Sequence, residues 1–333
     1  MSDVALEGID VSMTDEAHTV WRTVAEAGGV VQRDVHLGPL TTYKFGGAAA
    51  YYAEIESDRE LLEVIEHLGA APLPLLILGR GSNLVVSDAG FPGLVMHLSG
   101  EFLTIEVLED GSIIAGGAAP LPRLARAATR AARTGLEFFV GIPGSVGGAV
   151  TMNAGCLGSE TGDWLVDATI VNLITGVSRT SDGSDLDLAY RHSNLSRTDL
   201  VTRARFRTEA GTPEAGETRL REITAWRKRT QPGGTFNAGS VFKNPPGNAA
   251  GRVIDDLGLK GFRVGGVAVS EKHANFFVAD DTASAQDVYD LVHGVQTRVL
   301  AATGTLLEPE VRFAGPFNVA DHGAPATVGG ERS

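Results

Sequence analysis

Apolar positions recur with two periods along this chain, and each switch between them marks an element. From Ser57, the residues Leu61, Leu62, Ile65 and Leu68 fall at helical spacing, with Ser57 placed to cap the first turn. PLLILG (Pro74 to Gly79) is continuously apolar, as suits a buried strand, and the strands NLVV and GLVMHL follow a glycine-rich turn. Before them, TTYKFGGAAAYYAEI (Thr41 to Ile55) alternates around adjacent glycines and reads as strand, tight turn, strand. A second helix is expected from Pro120 to about Arg133, stopped by Gly135. Short strands then fill about Asp167 to Arg207, and a third helix covers about Thr218 to Arg229. A glycine-rich loop (Gly233 to Gly239), a short strand at Val241 and Phe242 and a helix near Ala250 to Leu257 come next. The strand FFVAD (Phe276 to Asp280) leads into the longest helix, about Ser284 to Thr303, with the stripe Val288, Leu291, Val292, Val295 and Val299 and a stop at Gly304. LEPEVRFAG (Leu307 to Gly315) reads as the last strand.

Helices and strands are mixed along the chain, with no internal repeat. At 333 residues the chain is long enough for two domains with separate cores. The polar stretch TEAGTPEAGE, between Arg207 and Thr218, is the expected boundary. The division is therefore an acidic lead-in over 1–40 with one short helix, a domain over 41–210, a second over 218–316, and a disordered tail over 317–333.

Composition narrows the function. One cysteine cannot close an intrachain disulfide or build a cysteine-based zinc site, so no metal is expected. The N-terminus lacks a basic segment followed by an apolar core, and no apolar run approaches the ~20 residues that span a bilayer. A soluble, cytoplasmic protein with no membrane partner is expected. The net charge of −13 argues against nucleic acid, whose phosphates the mean field would repel. Against that mean, Arg219, Arg221, Arg227, Lys228, Arg229 and Lys243 face only Glu222 within one 25-residue stretch. Anions are thus expected at one mouth of the molecule.

Glycine concentrates beside apolar strands in ILGRGSNLVV (Ile77 to Val86), FFVGIPGSVGGAVTMNAG (Phe138 to Gly155) and TFNAGSVFKNP (Thr235 to Pro245). Such loops let backbone N–H groups approach a phosphate or a flat ring, although a single glycine turn after a strand is more often only a turn. GRGSN is followed by strand and has the spacing of neither a dinucleotide fingerprint nor a P-loop.

Read in order, TTYKFGG, LGRGSNLVV, GLEFFVGIPGSVGGAVTMNAG, YRHSNL, FNAGSVFKNP, SEKHANFFV and LEPEVRF resemble the UDP-N-acetylenolpyruvoylglucosamine reductases, from about Tyr43 to Gly315. The resemblance implies a two-part FAD-binding domain of the vanillyl-alcohol-oxidase (PCMH) type, followed by a smaller α+β substrate-binding domain. It implies non-covalent FAD, NADPH as co-substrate, and UDP-N-acetylglucosamine enolpyruvate as the substrate reduced to UDP-N-acetylmuramate for peptidoglycan. A monomer is expected. Hydride would reach the enolpyruvyl methylene from flavin N5, and a proton the adjacent carbon.

By motif, the resemblance gives Ser240 as proton donor and Arg191 and Glu310 as the residues that hold and polarise the substrate carboxylate. Arginine offers a planar fork that does not titrate, whereas a glutamate beside a carboxylate helps only if it is protonated or offset by cations. Arg229, Lys243 and Asn244 are expected on the sugar nucleotide. His273 has two readings, a substrate-side group or a satisfied structural histidine. For the flavin, the resemblance implies Tyr43, Gly46 and Gly47, then Gly79, Arg80, Gly81, Ser82 and Asn83. Gly141, Ile142, Pro143, Gly144, Ser145 and Gly147 would run along the isoalloxazine. The chain departs from the family's NAGAYG text with NAGCLG, so Cys156 is read as a small apolar residue rather than a redox group. The spacing after YRHSN resembles the shorter subgroup, which lacks a substrate-covering tyrosine loop. Two rivals stay open: a flavin oxidase of the same fold, and a nucleotide-binding protein without turnover.

Overall fold

The computed structural model describes residues 15–319; of the tail expected over 317–333, residues 320–333 lie outside the described residues. The first lobe is a four-stranded sheet ordered Val31–His36, Ala48–Ile55, Phe91–Leu98, Leu75–Leu78. The first pair is antiparallel and the other two are parallel. Helices α1 (Asp15–Glu26) and α2 (Asp58–Ala70) supply its core with Trp21, Leu61, Val64, Ile65 and Leu68. The described part of the expected lead-in, residues 15–40, thus belongs to the lobe. Its strand pairs with Ala48–Ile55, and Trp21 is fully buried with Nε1 donating to the Ala71 carbonyl at 2.7 Å.

Three expectations need local correction. Ser57 does cap α2, but Leu62 is 59% exposed and Val64 replaces it in the buried stripe. Positions 61, 64, 65 and 68 follow the i, i+3, i+4, i+7 rule, and 62 lies off it. Thr41 to Gly47 is a bend rather than a strand, because Lys44 (φ 68°) and Gly46 (φ 117°) take left-handed backbone that no ladder accepts. The second helix, α3 (Leu121–Arg130), stops short of Arg133; Ala132 turns to φ 56° and Arg133–Thr134 pair with Glu209–Ala210. Gly135 is needed because a Cβ there would lie 2.3 Å from the Trp164 ring.

The second lobe is an antiparallel five-stranded sheet ordered Ser178–Asp182, Leu165–Asn172, Asp199–Phe206, Ile113–Gly116, Ile105–Val107. It is covered by α3 and the six-residue α4 (Val146–Thr151). Helix α5 (Pro213–Thr230) begins five residues before the expected Thr218, capped by Thr212 and opened by Pro213. Its buried face, Gly216, Leu220 and Ile223, packs against α3 and residues 137–141. The polar stretch read as a domain boundary therefore leads into a helix that belongs to the second lobe's core.

The C-terminal part holds α6 (Ala250–Asp256), α7 (Ala285–Thr303) and a small sheet of Arg263–Val264, Val267–Val269 and Phe277–Ala279. All five residues of the expected α7 stripe are buried, Ser284 and Asp287 form a capping box, and Gly304 ends the helix at φ 72°. Val241 and Phe242 lie in no strand; Ser240 and Phe242 make isolated β-bridges to Phe276 and Pro309. The last strand, Arg312–Ala314, returns to the first lobe and pairs parallel with Leu84–Val86. Tyr43 ties the same parts together: it is 1% exposed within the C-terminal core, and its hydroxyl donates to the Phe277 carbonyl at 3.0 Å. Its side chain thus has no surface for a flavin, contrary to expectation. Tyr43→Phe should leave the flavin spectrum unchanged and lower stability by about 1–3 kcal/mol, the cost of an orphaned buried carbonyl. Denaturant unfolding and an absorption spectrum would check both.

Candidate active site

The site is assembled from four segments distant in sequence. Ala189 and His192 exchange backbone hydrogen bonds of 3.2 and 3.0 Å, so Tyr190 and Arg191 form the corners of a tight turn. Arg191 occupies the second corner at φ 55°, a conformation favouring glycine. Its Nε donates to Glu310 Oε1 at 2.5 Å, and both side chains are largely buried, 18% and 14% exposed. Burial pushes the Glu310 carboxyl above its usual range; the pull of Arg191, and then Lys243, opposes this without cancelling it.

Ser240 lies one residue from a direct tie to Glu310: the Glu310 N–H donates to the Val241 carbonyl at 2.7 Å. Lys243 N–H likewise donates to the Glu308 carbonyl at 2.9 Å. The segments 240–243 and 308–311 therefore run side by side. Ser240 is half-buried, and no described protein group takes up its hydroxyl. The GRGSN loop joins the pair from the first lobe, since Asn83 Nδ2 donates to the Glu310 carbonyl at 2.9 Å and Arg312 N–H to the Asn83 carbonyl at 3.0 Å. GIPGSVGG abuts the same loop, and a Cβ on Gly79 would lie 2.7 Å from Ser145 Oγ.

Three of the glycines read as cofactor contacts, Gly46, Gly47 and Gly81, are required by the protein backbone packed against them. Added Cβ atoms would meet Val86 O at 2.7 Å from Gly46, Asp88 O at 2.5 Å from Gly47, and Leu40 O at 2.4 Å from Gly81. From Gly141 one would meet Cys156 Sγ at 2.8 Å, and from Gly147 the Gly117 and Val201 carbonyls at 3.2 Å. Gly144 differs, because its nearest neighbour would be Leu121 at 3.4 Å, an ordinary contact. Cys156 is half-buried, and burial pushes its thiol pKa up, which disfavours the reactive thiolate.

Other expected substrate contacts already hold protein partners. Lys243 Nζ pairs with Glu308 at 2.5 Å, and Asn244 Oδ1 accepts the Ala250 N–H at 3.0 Å, fixing the start of α6. His273 packs edge-on to Phe276 with centroids 4.8 Å apart and accepts the Asn275 N–H at 3.3 Å; burial holds its pKa down and keeps it neutral. These contacts favour its structural reading. Arg229 is exposed near the end of α5. Tyr190 was missed in the sequence, although it adjoins Arg191. Its ring lies 5.0 Å below the Arg191 guanidinium, and its hydroxyl accepts the Asn244 N–H at 3.3 Å.

Known proteins resemble this chain in sequence and fold. Residues 49–180 match the family model described as an FAD binding domain, and 231–314 match the UDP-N-acetylenolpyruvoylglucosamine reductase C-terminal domain. The UDP-N-acetylenolpyruvoylglucosamine reductase of Synechococcus sp. (strain RCC307) is 45% identical over 294 residues, covering 86% of this chain and 95% of its own. That of Synechococcus sp. (strain JA-3-3Ab) is 40% identical, over 89% and 95%. The crystal structure of the enzyme from Thermus caldophilus superposes with a TM-score of 0.74 at 38% identity, over 86% of this chain and 99% of that one. The chain belongs to the UDP-N-acetylenolpyruvoylglucosamine reductase family.

As a member of that family it is a flavoenzyme oxidoreductase with FAD as cofactor, which sets aside the turnover-free rival and the oxidase. The residues present fit that cofactor. No described protein acceptor takes the backbone N–H groups of Arg80, Gly81, Ser82 and Asn83, or those of Gly144 and Ser145. Six donors on two touching loops suit a pyrophosphate, and glycine at position 144 is not required by protein packing. Among the described residues of this reductase, no group of three His, Cys, Asp or Glu could hold a metal, and no helix could cross a membrane.

Proposed function

We propose that the chain reduces UDP-N-acetylglucosamine enolpyruvate to UDP-N-acetylmuramate with NADPH as reductant, as a cytoplasmic monomer supplying peptidoglycan precursors. The observation that carries this reading is the partly desolvated Arg191–Glu310 pair beside Ser240. Bound FAD would supply the hydride that adds to the enolpyruvyl methylene carbon. The chain's own residues handle the charge and the proton. Negative charge builds on the adjacent carbon and its carboxylate; Arg191 stabilises it, and Glu310, raised by burial, can share a proton there instead of repelling it. Ser240 Oγ gives its proton to that carbon and is reprotonated from solvent. The backbone of residues 80–83 and 144–145 would hold the cofactor's pyrophosphate, and we place the unit boundary after Thr230, at the end of α5.

The test is anaerobic: NADPH should bleach the flavin, and UDP-N-acetylglucosamine enolpyruvate should restore its colour. Bleaching without restoration would sink the substrate reading. The basic stretch is weaker than its sequence suggests, because Arg219 pairs with Glu222 and Lys243 with Glu308. Exposed Arg229 remains available to steer anions. Arg229→Gln should weaken substrate binding more at low salt than at high salt. A Kd ratio independent of salt would count against that role.

A further inference from the structure

We propose that Asn153 is a positioning residue for Arg191, fastening the turn that carries the guanidinium. The inference rests on the reading of Arg191 given above. Asn153 follows α4, is wholly buried, and takes left-handed backbone at φ 41°. Both ends of its amide are engaged: Nδ2 donates to the Ala189 carbonyl at 3.0 Å, and Oδ1 accepts the Gly162 N–H at 2.8 Å. On the other side of the turn, Ser193 Oγ donates to the Thr151 carbonyl at 2.7 Å. The two fastenings flank Arg191 by two residues each, and both lead to the short stretch 151–153.

The fastening matters because of the backbone it holds. Arg191 sits at φ 55°, where a Cβ is disfavoured and a free turn would relax. Relaxation would swing the guanidinium away from Glu310, which stands on a different part of the fold. A guanidinium aimed at a reacting carboxylate tolerates little displacement; an error near 1 Å can cost about 100-fold in rate. Asn153 is suited to the role because its short amide tolerates left-handed backbone and offers one donor and one acceptor in fixed directions.

The experiment compares half-reactions in the FAD-loaded enzyme. Asn153→Gly keeps the left-handed backbone and removes both side-chain bonds. Flavin reduction by NADPH should be unchanged, while reoxidation by the enolpyruvyl substrate should slow about 10- to 100-fold. In an Arg191→Ala background the same change should add nothing, because its effect passes through Arg191. A readout independent of turnover is Glu310 titration by carbon NMR in the free protein. The charged groups acting on Glu310 are Arg191 and Lys243; displacing Arg191 removes the larger pull, so the pKa should rise further in Asn153→Gly. Ser193→Ala, a milder change at the opposite side, should show the same pattern if Asn153→Gly folds poorly. Equal loss of both half-reactions, additivity with Arg191→Ala, or an unmoved Glu310 titration would overturn the positioning role. If Arg191→Ala itself left reoxidation intact, the reading of Arg191 would fail first; a damaged Arg191→Ala beside an intact Asn153→Gly would sink positioning alone.

Discussion

Ser240→Ala should leave NADPH able to bleach the flavin while reoxidation by the enolpyruvyl substrate slows about 10²- to 10⁴-fold, the usual worth of a placed proton donor. The asymmetry follows from where the proton is used. Reduction of the cofactor by NADPH does not involve the substrate carbon, whereas completing the addition requires a proton on it. Serine is a weak acid, so it can serve only a very basic carbanion at short range. Ser240 is half-buried, its hydroxyl is not engaged by a described protein group, and its neighbour Val241 holds the Glu310 backbone. Stopped-flow absorbance would separate the two half-reactions. Equal slowing of both would point to a folding or flavin-binding defect and remove Ser240 from the proton path.

Arg191→Ala is expected to slow reoxidation about 10²- to 10³-fold, the scale of losing one preorganised charge stabiliser. Arg191→Lys should recover only part of it, because an ammonium cannot present the planar fork that a carboxylate accepts. The substitution should also drive the Glu310 pKa up further, since burial already raises it and Arg191 is the largest opposing influence. The sign has a consequence for pH. With Arg191 present, Glu310 begins to lose its proton at lower pH; without it, the protonated form persists to higher pH. Carboxyl titration by NMR, free and with substrate, would check this. A substrate carboxylate nearby should raise the pKa again; an ordinary value near 4 in the complex would remove Glu310 from the role of shared proton carrier.

The elements with strong periodicity were legible in the chain. The α7 stripe, its cap at Ser284 and its stop at Gly304 all follow from spacing and residue type, because a helix declares one buried face in its own sequence. The seven ordered motifs likewise marked a flavin reductase; Arg191 does pair with Glu310, and the residue after Ser240 is bonded to the Glu310 backbone. Local rules failed where distant packing decided. Polar text over 207–218 resembled a linker, yet α5 begins inside it, because Leu220 and Ile223 find a core made by α3 and residues 137–141. Tyr43 read as a flavin contact, but its hydroxyl is engaged by Phe277, more than two hundred residues away.

The sequence alone determined the family, since seven ordered motifs run collinearly from about Tyr43 to Gly315. It also determined α7, with its cap and stop, and that one cysteine closes no intrachain disulfide. The tertiary structure decided which glycines answer to protein and which leave room for a cofactor, because a Cβ clash depends on atoms from other segments. It decided the raised Glu310 and the strained corner at Arg191 as well. Burial and turn geometry arise only when residues 83, 153, 191, 240 and 310 are brought together, and no window of sequence contains them all.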